Sequence, residues 1–110
     1  MKFRVIITRS AEADADAIYD WLNEQSPRGA VNWWKAFLHA VDSLRENADS
    51  FGRAAEAEDH HEVLLERSFK TRYGNASRVV FTIRDELVYV LRVRRAGQSL
   101  LASNEIELPE

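Results

Sequence analysis

Two alternating stretches with two residues between them constrain this chain more than any other feature. Residues 77–84 read SRVVFTIR, residues 87–95 read LVYVLRVRR, and only Asp85-Glu86 separates them. Alternation with a period of two marks half-buried strands. A link this short joins antiparallel neighbours, even without the glycine common in such turns. The second stretch carries a further signal. Leu87, Tyr89, Leu91 and Val93 share one parity, while Val88, Val90, Arg92 and Arg94 share the other. The first set is expected on the covered core face. Arg92 and Arg94 are then expected on the open face, with Arg78 of the neighbouring strand beside them and Arg95 at the strand end. Guanidiniums held by a sheet form a pre-organised site for phosphate or carboxylate.

The residues before the hairpin supply its cover. FRVIIT (residues 3–8) alternates and predicts a first strand. Ser10 suits a helix N-cap, and Ala11, Ala15, Ile18 and Leu22 recur at helical spacing. Asp14, Asp16, Asp20 and Glu24 crowd the rest of that helix and read as a solvated face. Ser26 precedes a proline, so the helix ends near Gln25. Ser26 then caps a second helix with Pro27 at its first position. The second stripe runs Ala30, Trp34, Phe37/Leu38, Val41, Leu44 and Ala48, which places Trp34 in the core and Trp33 on the flank. EVLLERSF (residues 62–69) predicts one more strand. The order β-α-α-β-β-β gives an α+β fold, with a helical hairpin packed on one face of a mainly antiparallel sheet. The expected core is Ile18, Leu22, Trp34, Phe37, Val41, Leu44, Phe81, Ile83, Tyr89 and Leu91.

The 110 residues fit one domain, and 45% hydrophobic content is enough for a core. Residues 1–101 are read as that domain and 102–110 as an acidic tail, either an edge strand or a frayed end. There is no cysteine, which excludes disulfides, thiolate zinc sites and a cysteine nucleophile. No apolar run suggests a leader or a membrane span, so a cytoplasmic protein without membrane contact is expected. The net charge of −3 hides an asymmetry. Residues 67–95 hold eight Lys/Arg against Asp85 and Glu86, whereas residues 1–66 hold seven against thirteen acids. A local basic surface for an anionic partner fits this pattern. Asp59-His60-His61-Glu62 raises metal binding, but no third ligand follows at a convincing spacing; no metal and no cofactor are expected.

The order of elements, the Ser26-Pro27 break, the FGRA loop with Arg53, and above all SRVVFTIRDELVYVLRVRRAG resemble the RelE/ParE family of type II toxin–antitoxin toxins, also known as plasmid stabilisation proteins. Arg78 matches the arginine entering the penultimate strand, and Phe81-Thr82-Ile83 and Val88 to Arg94 match the family's strand pattern. The chain departs from it at Arg95, where many members have histidine, and at Gln98, where arginine is usual. The family's Arg-Glu pair in the second strand is present only as Glu66-Arg67.

The resemblance implies a growth-inhibiting toxin with a cognate antitoxin, forming a homodimer or a toxin–antitoxin hetero-oligomer. In the ParE-like branch the target is DNA gyrase, reached by binding, with Arg78, Arg92, Arg94 and Arg95 as the partner surface. In the RelE-like branch the protein is an endonuclease acting on ribosome-bound mRNA. Arg53, Arg78, Arg94 and Arg95 would then stabilise charge, and Glu66 or Tyr73 would serve as base, since arginine stays protonated. No tyrosine follows Tyr89 and no histidine follows His61, which points away from cleavage and towards binding. A third reading is a degenerate member that binds an antitoxin and is no longer toxic.

Overall fold

Asp85 adopts a left-handed backbone (φ 55°), a conformation Asp tolerates at low cost. With it, the hairpin turns without glycine. The computed structural model describes residues 2–59, 61–72 and 74–110. Its elements are β1 (Arg4–Ile7), α1 (Arg9–Gln25), α2 (Pro27–Asn47), β2 (Leu65–Phe69), β3 (Ser77–Arg84) and β4 (Leu87–Arg95), with short 3₁₀ turns at Ala48–Ser50, Ala55–Asp59 and Ser103–Glu105. The sheet order is β1-β4-β3-β2. β1 runs parallel to β4, with Val5 opposite Val88, and the other pairs are antiparallel. No described helix is long and apolar enough to cross a membrane.

Local chemistry sets the helix ends. Thr8, rather than Ser10, caps α1: its hydroxyl accepts from the Ala11 N–H at 3.3 Å and donates to the Val90 carbonyl at 2.8 Å. The cap is thereby anchored to β4. Ser26 ends one helix and starts the next. Its N–H donates to Leu22 O at 2.8 Å, and its hydroxyl accepts from Gly29 N at 3.0 Å.

Under the hairpin lie Ala11, Ala15 and Ile18 of α1, Trp33, Phe37, Val41 and Leu44 of α2, and Val79, Phe81, Val88, Val90 and Val93 of the sheet. Trp33 is the buried tryptophan and Trp34 is half-buried, the reverse of the sequence expectation. The Trp33 ring lies parallel to Phe37 with centroids 5.5 Å apart, and its indole N–H donates to buried Ser77 at 3.0 Å. A buried indole needs such an acceptor. Trp34 instead meets Tyr19 edge-on.

The parity argument also fails in one place. Val80 pairs with Arg92 and Phe81 with Val90, so Leu91 is an extra residue in β4. Such a bulge resets which side each residue faces. Val88, Val90 and Val93 face the helices, whereas Tyr89 and Leu91 belong to the opposite side. Of the expected core, Leu22, Trp34, Ile83 and Tyr89 are half-buried and the others are buried.

The far face of the sheet is covered. Ala54, Ala57, Leu64, Val80, Leu91, Leu101 and Ile106 form a second apolar cluster, joined by Tyr89 and Leu108. The segment expected as an edge strand or a frayed end therefore crosses the sheet, with Ile106 buried beneath it. β2 begins three residues later than expected, because residues 63 and 64 are engaged elsewhere: Val63 O accepts the Thr82 hydroxyl and Leu64 O the Ala54 N–H.

Candidate functional site

The strand-end arginines fall into two groups. Arg78, Arg92 and Arg94 share the face away from the helices: Arg78 pairs with Arg94 across the ladder, and Arg92 with Val80. Arg95 pairs with Ser77 and lies on the helix side.

Arg78 is held by two carboxylates. Its two terminal nitrogens reach the Glu56 carboxylate at 2.7 and 2.5 Å, and one also approaches Glu66 at 3.5 Å. Glu56 is nearly inaccessible, at 3% exposure, and accepts the Leu101 N–H at 3.0 Å. Burial opposes ionisation of Glu56. The Arg78 guanidinium and the Leu101 N–H outweigh burial and hold its carboxyl at about 2. Hydrogen bonding to Glu56 likewise raises Arg78 above the usual arginine range. Glu56 went unnoticed in sequence because it lies in a polar connection without periodicity.

Arg92 lies where β1 has ended and α1 runs along the strand edge. Asp14 takes its guanidinium at 2.6 and 2.9 Å and also accepts the Val93 N–H at 2.9 Å. One carboxylate thus satisfies an edge amide that has no neighbouring strand. Asp14 is therefore not part of a merely solvated face. Hydrogen bonding to Asp14 raises Arg92 above the usual arginine range. The C-terminal segment adds the Glu105 carbonyl to Arg92 at 2.6 Å and the Ser99 carbonyl to Arg94 at 2.5 Å. Arg94 Nε is buried without a hydrogen-bond partner.

Arg95 is different in kind. Its guanidinium stacks 3.9 Å from the centroid of Trp21, a residue 41% exposed. It borders a cleft of about 500 Å³ between the helical hairpin's junction, the β2–β3 connection and the end of β4.

The remaining sequence candidates are dispersed. Arg53 is exposed and sits at an isolated bridge to Leu65. Glu66 is engaged by Arg78 and by the Ala55 N–H at 3.4 Å. Tyr73 and His60 lie outside the described residues. Glu62 of the acid–histidine run is paired with Arg84 at 2.6 Å, and no group of three metal-ligating side chains occurs among the described residues.

A β-α-α-β-β-β chain with arginines closing its last strand is what the RelE/ParE resemblance implies. Residues 5–100 match the family model described as the ParE toxin of the type II toxin–antitoxin system parDE. The chain belongs to the ParE toxin family. Among solved structures, this ParE-family chain superposes on one described as the chromosomal ParDE toxin–antitoxin system from P. aeruginosa. The TM-score is 0.66 at 24% identity, over 86% of this chain and 96% of that one. That likeness shows a shared fold. No curated protein matches the chain. Family membership makes it the toxin-type component of a type II system.

Proposed function

We propose that this ParE-family protein acts by binding a cellular target, DNA gyrase being the target its family suggests, and that a cognate antitoxin neutralises it. The state of Arg78 carries the reading. RNA cleavage needs cations free to meet charge as it develops on phosphorus. Arg78 is already bidentate with a buried, ionised Glu56, and Arg92 is bidentate with Asp14. Guanidiniums neutralised in this way suit an architectural role more than phosphate chemistry.

The partner meets the strand end chiefly through Arg95 and the outer side of Arg94. Arg78 and Arg92 hold that end from behind, and would contact a partner directly only by giving up Glu56 and Asp14.

The test is calorimetric binding to the cognate antitoxin, at low and high salt. Arg94→Ala and Arg95→Ala are compared with Arg45→Ala on α2, and folding is checked by melting. Losing a desolvated charged contact costs about 2–5 kcal/mol, and losing an exposed one about 0–1 kcal/mol. Equal, small losses for all three variants would remove the strand end from the interface.

A further inference from the structure

We propose that the cleft beside Arg95 docks an acidic peptide segment that inserts one bulky apolar side chain. This rests on the reading of the chain as a protein-binding toxin and assigns the contact to a cavity.

The cleft is built by a one-residue junction between the two helices. Ser26 joins α1 to α2 with no intervening loop, so the last turns of α1 and the first turns of α2 diverge from one point. The space between them is floored by Ile18, Leu22 and Trp33 and closed by the β2–β3 connection and the end of β4. At about 500 Å³ it has the size and apolar lining of a ligand site. Gly29, in the first turn of α2, carries no side chain into it.

The rim is basic. Arg28, Arg72 and Arg95 border the cleft, and none of the described residues lining it is a carboxylate. This stands out in a chain of net charge −3. Trp21 fixes Arg95 at the rim through its ring face. An apolar floor inside a cationic rim is complementary to an apolar anchor flanked by Asp or Glu.

The aromatic rings favour a peptide over single-stranded nucleic acid. Bases bind such surfaces by stacking on open ring faces. Here a face of Trp21 is covered by Arg95, and Trp33 is stacked on Phe37. Beside the occupied Trp33 ring the floor offers the aliphatic side chains of Ile18 and Leu22, which suit a Phe, Trp, Leu or Ile side chain.

Fluorescence anisotropy with the full chain tests this. The probes are labelled acidic peptides with a central Phe, Trp, Leu or Ile. At least one is expected to bind more tightly than millimolar. Affinity should fall at least about 10-fold when the anchor is changed to Gly or the flanking acids to Lys. The same loss is expected for Asn32→Trp, which fills the cleft from an exposed position, and for the double variant Arg28→Glu/Arg95→Glu. Arg45→Glu should bind as the parent does. Melting curves confirm that each variant is folded. The inference fails if none of the four peptides binds, if Asn32→Trp binds like the parent, or if a single-stranded RNA oligonucleotide displaces the peptide from the cleft. Peptide binding needs no toxicity, so a harmless chain that still binds these peptides would overturn the toxin reading and leave the cleft assignment standing.

Discussion

Glu56 grips both terminal nitrogens of Arg78 while accepting the Leu101 N–H. One carboxylate thereby joins the loop after α2, the third strand and the segment that crosses the sheet. Removing one member of a buried pair strands the other, at a cost of about 3–5 kcal/mol. Glu56→Ala and Arg78→Ala are each expected to lose that much in urea denaturation. The double variant should lose much less than the sum, since the two side chains act as one unit. Additive losses would show that the pair is not coupled.

The same carboxylate makes stability depend on acid. Its folded value of about 2 lies below its ordinary 4.5, so the unfolded chain binds the proton more readily. The stabilisation is complete above pH 4.5 and disappears as pH falls towards 2. By linkage it is worth roughly 3 kcal/mol. Denaturation midpoints for the parent should therefore drop across this window, and a Glu56→Gln variant should show a shallower drop. Identical pH profiles for the two would contradict the assignment.

Asp14 and its neighbours on α1 should separate cleanly. Asp14→Asn weakens a charged acceptor shared by Arg92 and the Val93 N–H, and a loss of about 1–3 kcal/mol is expected. Hydrogen exchange at Val93 should accelerate with it. Asp16→Asn and Asp20→Asn change exposed residues and should leave both readouts within about 0.5 kcal/mol of the parent. Equal effects at all three positions would return Asp14 to the solvated surface.

The two adjacent tryptophans give a packing test. Trp33→Ala removes a buried ring stacked on Phe37 and should cost about 3–5 kcal/mol, with Leu91→Ala and Val41→Ala at about 2–4 kcal/mol. Trp34→Ala should cost clearly less, because that ring is half-buried. A larger loss at Trp34 would invert the assignment.

These tests fall where sequence and structure part company. The hairpin was legible because Asp85-Glu86 allows no other connection, and the helix junction because Ser26-Pro27 both stops and starts a helix. The face of Leu91 was not, since a single inserted residue resets parity and leaves no compositional trace. Trp33 and Trp34 both fit helical spacing; what separates them is the Ser77 hydroxyl, 44 residues away. Asp14 is one of several acids on α1, and only the place where β1 ends makes it the acceptor for β4. The arginines of the last strand could be named from their positions. Their division into three internally bonded side chains and one at a cleft depends on Glu56, Asp14 and the C-terminal segment, which meet only in the folded chain.

The central claim is action by binding, and it is tested most directly by pulse-labelling DNA and protein synthesis after induced expression of the chain without its antitoxin. The account predicts that DNA synthesis falls first while labelled amino acids are still incorporated, and that co-expressed antitoxin restores it. An immediate stop in protein synthesis with mRNA cut inside ribosome-bound regions would contradict it.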